Sequence, residues 1–565
     1  MISLRLVVFG LLQVLGTFAQ SDNLLGWVPH RPGFHRAGKY GKSLSRLHAT
    51  NLPRSLRVVQ SEEYGSQTDF ALHSASKGGS DTLLTPPPPL EMIPLIISGP
   101  STNRVDLVFF SDGYIPEERQ KFIDDALRLA EDVSKNQTFN TVQPLLNFWA
   151  AFSPSQESGI GIDGPKETPF GLYRVGSELR GVYYAHEDVG RAACDSLGEQ
   201  CDFPILLGND PLYGGLGGDF TVITASILNG PLVLRHELGH SILGVGEEYD
   251  GGYAYFGRNA AHDPKSFPWK QWLSDPSRVN EIGSPQIEKS VMVMQTYPWT
   301  LLNTTTPWSI EFTSSGAYSR YALQFSLAGI PKKEDLRVTL DGVDLGWVPR
   351  AEIGMDRWFY DFYSPDNLKP GKHGLEFSLL NGKNEGSSQL CSAEILEYGN
   401  EDEFISDPGF YSLYPTYSDV NETSFRPTNE DCLMRSVTTP SFCKVCLETL
   451  WLSLLRDISF VDNINESCEH GSLSSRPSVK VLELDLLPLA HLRKSPITPM
   501  ESYTIYWTKD DKILSEFTNK TRIEINDEFS PGEYSIYVKF STEEIRLESP
   551  NVENKLSYLI TSRCN

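Results

Sequence analysis

In the stretch RHELGHSILGVGEEYDGG, residues 235–252, two histidines and a glutamate stand at the spacing that a metal-activated water requires. On a helix His236 and His240 lie one turn apart on the same face, so both imidazoles can reach one cation at about 2 Å from each nitrogen. Glu237, beside the first histidine, is placed to hydrogen-bond a water in the open coordination position. Zinc lowers the pKa of such a water toward about 7; a glutamate then takes its proton as hydroxide attacks a polarised carbonyl, and later delivers it to the leaving amine. The chemistry is metal-assisted peptide hydrolysis.

A catalytic zinc takes three protein ligands and keeps the fourth position open, so a third ligand is required. Gly244 follows His240 by four residues, and Glu247 and Glu248 follow by seven and eight. A straight helix would carry Glu248 roughly 12 Å along the axis from His240, out of reach. A turn at Gly244 and Gly246 must therefore bring an acid back. Either acid of the Glu247-Glu248 pair could then be the third ligand, with His262 and Asp263 as further candidates.

The elements that must position these residues begin at RVDLVFFSDGYIPEERQKFIDDALRLAEDV: an apolar strand over Val105–Phe110, a turn at Asp112-Gly113 and a helix. In that helix Pro116 suits the first turn, Glu117 and Glu118 suit its dipole, and Phe122, Ala126, Leu129 and Ala130 recur at helical spacing. Further strands are expected over 146–154, 203–208 and 219–227, with the glycine cluster YGGLGG between the last two. That cluster allows a tight bend, and it lacks the Lys-Ser/Thr of a phosphate loop. The motif helix starts near Pro231 and stops near Gly244. Alternating runs such as YALQFSL, LRVTLDG and HGLEFSLL mark a β-sandwich over 311–396, and short strands recur over 476–565. FCKVCLETLWLSLLRDI, residues 442–458, reads as a helix.

At 565 residues the chain exceeds one hydrophobic core. The expected division is a signal peptide over 1–19, a basic pro-segment or N-terminal region with a Pro-rich linker over 20–95, and a catalytic domain in two parts, 96–310 and 397–475. The β-sandwich of 311–396 is inserted between those parts, and an all-β immunoglobulin-like domain closes the chain at 476–565. An apolar run over 6–15 is too short to span a bilayer, so a secreted protein without stable membrane insertion is expected. Five Asn-x-Ser/Thr sequons, at Asn136, Asn303, Asn421, Asn465 and Asn519, fit that route as glycosylation candidates. The eight cysteines favour disulfides, and Cys443-x-x-Cys446, with no second pair at zinc-finger spacing, makes a structural zinc the weaker reading. A net charge of -24 argues against nucleic acid as a partner. Residues 20–60 run the other way, with seven basic side chains against Asp22.

HELGHSILGVGEEY resembles the hallmark of the secreted zinc metallopeptidases named after a bacterial enzyme that cleaves immunoglobulin A. VDLVFFSDGYIPEERQKFIDDA, FWAAFSPSQESGI, ILLGNDPLYGGLGG and DCLMRSVTTPSFCKVC are similar to further family blocks in the same order. The resemblance implies a zincin-like, metzincin-type α/β domain with one catalytic Zn2+, held by His236, His240 and an acid of the pair, and with Glu237 as general base. Family members often carry Asp where Glu247 stands, while Glu248 and Tyr249 match, hence the preference for Glu248. Tyr249 is implied either as an oxyanion stabiliser or as a packed ring. CLMR resembles the methionine turn, with Met434 beneath the histidines, and Gly214 and Gly215 would lie near the edge strand that receives substrate.

These observations together predict a secreted zinc endopeptidase acting on a protein or peptide. A catalytically inactive extracellular binding protein that uses its β-modules is one alternative, and a zinc exopeptidase or amidase is another. Oligomeric state is not legible.

Overall fold

The computed structural model describes residues 57–58, 85–135, 137–280, 283–469, 478–495 and 500–564. The expected signal peptide, most of the basic N-terminal region and the sequon at Asn136 lie outside the described residues.

The site rests on a mixed sheet of six strands: β1 (Glu91–Ile96), β2 (Val105–Asp112), β3 (Leu146–Phe152), β4 (Phe203–Gly208), β5 (Gly215–Leu216) and β6 (Thr221–Thr224), in the order β1-β3-β2-β4-β6-β5. β3, β2, β4 and β6 are parallel, and the two edge strands run antiparallel to them. All of β2 is buried, and its alternation divides the core. Leu107 and Phe109 face the same apolar cluster as α1 (Arg119–Lys135) and the motif helix, whereas Val108 and Phe110 pack with α2 (Glu187–Leu197). A strand buried on both faces reads as a continuous apolar run, which is why VDLVFF was legible. Phe122 and Leu129 of α1 are wholly buried, each stabilising by about 1.5–3 kcal/mol.

All but the last residue of β1 lie within the stretch expected to be a pro-segment and linker. Its Pro94 is tolerated because the strand is at the sheet edge, where a ladder donor is dispensable. The helix α2 had not been anticipated from the sequence; a disulfide, Cys194–Cys201, ties its end to the segment leading into β4.

The inserted module consists of two antiparallel sheets around one core that holds Leu323, Phe325, Val338, Leu375 and Phe377. It begins with Ser290–Thr296, earlier than 311, because that strand pairs with Gln389–Tyr398. After it the chain forms a hairpin (Tyr414–Tyr417 with Thr423–Arg426), the CLMR loop and α4 (Lys444–Leu455). The C-terminal β-region begins at Val461–Glu469, earlier than 476, and the disulfide Cys468–Cys564 ties that first strand to the chain end. Its apolar residues join the core of the first sheet through Trp451 of α4, whose ring lies 5.3 Å from Phe540. Two disulfides form, and Cys391, Cys432, Cys443 and Cys446 are unpaired thiols, so disulfide formation takes in half of the cysteines. Among the described residues no helix is long and apolar enough to cross a membrane. Asn303, Asn421, Asn465 and Asn519 are all exposed.

Candidate metal centre

The motif helix α3 spans Gly230–Leu238, with Pro231 in its first turn, where a missing N–H costs nothing. Val233, Leu234 and Leu238 are buried in the core beneath the sheet. The helix then widens into one π turn, Gly239–Leu243, and Gly244 ends it in the left-handed region at φ 64°. π turns leave the regular hydrogen-bond ladder, and here Ser453 of α4 donates to the Ile242 carbonyl at 2.6 Å.

Past Gly244 the chain returns as an extended segment paired with Ala254–Phe256: Gly246 N donates to Phe256 O at 2.8 Å and Glu247 N to Ala254 O at 2.9 Å. Gly246 is obligatory there, since a Cβ would stand 2.1 Å from the Ala254 carbonyl oxygen. In an extended segment successive side chains point to opposite sides. Glu247 therefore faces the histidines and Glu248 faces away.

His236 Nδ1 donates to the Leu433 carbonyl at 3.0 Å and His240 Nδ1 to the Val245 carbonyl at 2.8 Å. A carbonyl can only accept, so both rings hold a proton on Nδ1 and turn Nε2 toward a common point, where a metal would replace the Nε2 proton. Glu247 Oε2 lies 3.2 Å from His236 Nε2, and Oε1 lies 3.1 Å from His240 Nε2. Ligands held at about 2.0–2.1 Å around a tetrahedral ion stand about 3.4 Å apart, close to these separations. The donor set of two imidazoles and a carboxylate, all buried, is one that zinc accepts.

Burial pulls His240 down, but the Glu247 carboxylate more than reverses this and leaves the imidazole raised to about 9; His236 is raised in the same way. Burial pushes Glu247 up, and the two imidazoles hold it far below the usual carboxylate range. Glu237 is half-buried, and burial raises it against the opposing pull of the histidines. Its carboxylate lies along the glycines of the β5 segment: a Cβ on Gly215 would stand 2.8 Å from Glu237 Oε1, and one on Gly217 would stand 2.9 Å from Oε2. Gly214 lies just before β5, where a Cβ would meet Val182 and Arg174.

Met434 is fully buried against Gly239, where a Cβ would come within 2.6 Å of its sulfur. Its carbonyl accepts from Glu248 N at 3.0 Å, so the CLMR loop supports both the helix and the returning acid pair. Tyr249 is 38% exposed, with its ring stacked 6.4 Å from His236. The geometry thus brings together His236, His240, Glu237 and Glu247, with Met434 below. It does not bring the preferred Glu248 to the histidines: that carboxylate accepts from Asn259 Nδ2 at 2.9 Å and lies beside Cys446. Nor does it bring the further candidates there. His262 Nε2 donates to the Tyr255 carbonyl, and Asp263 accepts from Lys265 N in its own turn.

A buried salt bridge had not been anticipated. Arg435 Nη1 binds Asp250 Oδ2 at 2.5 Å and the Glu248 carbonyl at 3.2 Å, fixing the segment after the acid pair. The RHELGH motif carries no signal for it. The "R" of CLMR and the "D" of EEYD were its visible halves.

Residues 93–280 match the model of a peptidase family described as IgA Peptidase M64. The matched region contains the whole sheet except the first residues of β1, together with α3 and the acid pair. The chain is matched by no curated protein. Among solved structures, a beta-porphyranase of glycoside hydrolase family 86 from the human gut bacterium Bacteroides plebeius is 16% identical over 20% of this chain and 20% of its own, with a TM-score of 0.15. A family 35 carbohydrate binding module from Clostridium thermocellum is 15% identical over 19% of this chain and 90% of its own, with a TM-score of 0.13. The chain thus spans about a fifth of the first of these structures, and at such scores neither likeness bears on fold or function.

Proposed function

We propose that the protein is a secreted zinc endopeptidase whose centre is His236, His240 and Glu247, with Glu237 as general base. The convergence of two imidazole Nε2 atoms and one buried carboxylate beside a second, half-buried carboxylate carries the reading. The peptidase-family match over the same residues supports it.

When bound, zinc supplies Lewis acidity to the scissile carbonyl and lowers the pKa of a water beside it. Glu237 takes the proton of the attacking water as oxygen bonds to the carbonyl carbon, then passes that proton to the nitrogen as the C–N bond breaks. β5 is an antiparallel edge strand beside Glu237, and an extended peptide can add to such an edge by backbone pairing, with Gly214 and Gly215 leaving room for it. Tyr249, exposed next to His236, is positioned to donate to the developing oxyanion. Met434 takes the methionine-turn role beneath the histidines. A zincin-like core, an immunoglobulin-like C-terminal region and export belong to the same reading. Export is supported by the two disulfides and the exposed sequons.

Metal removal tests the proposal. The purified protein should cleave internal bonds of a peptide library, lose that activity on chelation and regain it with zinc. Cleavage indifferent to chelation, or release of terminal residues alone, would contradict it.

A further inference from the structure

A second group of ligand-type side chains lies on the far side of the acid pair. Cys432, Cys443, Cys446 and Glu248 are all buried, and one ligand atom from each falls within 4.8 Å of all the others. Cys432 Sγ and Cys446 Sγ are 3.7 Å apart, and Cys446 Sγ lies 3.6 Å from Glu248 Oε1. A tetrahedral ion with bonds of about 2.3 Å to sulfur and about 2.0 Å to oxygen sets sulfurs about 3.8 Å apart and a sulfur about 3.5 Å from an oxygen. The observed separations match both edges. A disulfide would need about 2.05 Å.

Two independent features of the surroundings point to a cation. Glu248 is 0% exposed, and its Oε2 has no hydrogen-bond partner, a costly state for a carboxylate without a positive partner. Cys443 is the N-cap of the twelve-residue α4 and Cys446 lies in its first turn, where helix N–H groups and the dipole favour thiolates. Cys443 N also donates to Cys432 Sγ at 3.4 Å. Pairing any two of the three cysteines would leave one thiol and the carboxylate unmatched. Elsewhere in the chain cysteines do pair, at Cys194–Cys201 and Cys468–Cys564.

We propose that Cys432, Cys443, Cys446 and Glu248 form a closed structural zinc site behind the histidine centre. Three thiolates and a carboxylate fill all four positions of the ion, so the site is structural rather than catalytic. The thiol protons pass to solvent as the ion binds. Adjacent carboxylates are thereby divided, Glu247 to the histidines and Glu248 to the thiolates. The site ties α4, the CLMR loop and the returning segment to one ion. It stands whether or not the histidine centre hydrolyses peptides.

The full-length protein, purified without reductant, provides the test. Zinc content should be two per chain, and a His236→Ala/His240→Ala variant should retain one. Cobalt exchanged into that variant should show thiolate-to-metal charge-transfer absorption, which Cys446→Ser in the same background should remove. Titration of the unfolded wild-type chain with chelator present should find the four unpaired thiols, Cys391 included. Absence of metal and of charge transfer in the histidine variant would overturn the proposal. So would only two titratable thiols, which would put a disulfide within the cluster. If a substituted chain fails to fold, cobalt-loaded wild type decides together with the thiol titration: the thiolate band should be present, and its absence would overturn the proposal.

Discussion

Glu247 and Glu248 are chemically identical neighbours separated only by which way the backbone turns them. Glu247→Ala removes a carboxylate held 3.1–3.2 Å from both imidazoles, and it should weaken zinc at the histidine centre by well over about 100-fold. Glu248→Ala acts on that centre only through its support and should weaken it by about 10–100-fold at most. Chelator competition with metal-loaded protein measures both. Helical spacing made the two histidines and Glu237 legible, since a period of 3.6 places them without further information. The choice between the acids was not legible. It depends on the register of Gly246 and Glu247 against Ala254–Phe256, a pairing that nothing in the motif announces. The preference for Glu248 followed the family pattern, and the strand register set Glu247 toward the histidines instead.

Between helix and acid pair the geometry is carried by short irregular elements: a π turn, a left-handed Gly244 and an extended return. Gly246→Ala places a Cβ 2.1 Å from a backbone oxygen that cannot swing aside. The variant should lose about 1–3 kcal/mol of stability, seen as a lower Tm, and should bind zinc less tightly because Glu247 is displaced. The long elements were readable because VDLVFF and the Phe122–Ala130 spacing state their own burial. α2 was missed: EDVGRAACDSL buries only Gly190, Ala193 and Cys194, too narrow an apolar stripe to stand out. The π turn has no sequence signature of its own. Its support comes from Ser453, more than two hundred residues away in the chain.

Across the whole molecule a polar junction joins the inserted module to the loops of the six-stranded sheet. Asp356 accepts from Tyr213 N, Ser226 Oγ and Asn229 Nδ2 at 2.5–2.8 Å, and the Arg357 guanidinium packs over Tyr213, Trp299 and Phe359. Tyr213 precedes the β5 glycines and Asn229 precedes α3, so the junction holds both walls of the site. Asp356→Ala orphans buried donors and should cost about 3 kcal/mol, with a raised KM and unchanged zinc content as its kinetic mark. The disulfide Cys468–Cys564 closes a loop with a sequence separation of 96; replacing both cysteines by serine should cost about 2–5 kcal/mol in denaturant unfolding. That the chain carries β-modules was legible from alternation. Their true starts were not, because Ser290–Thr296 and Val461–Glu469 are recruited by partners far along the chain. The proposed hydrolysis needs all three scales at once: a supported helix, a metal centre and one general base. Its most direct test is Glu237→Gln, with zinc content and peptide cleavage measured on the same preparation. The account predicts wild-type zinc with cleavage lowered by about 10²–10⁴-fold; cleavage equal to wild type at equal zinc would contradict it.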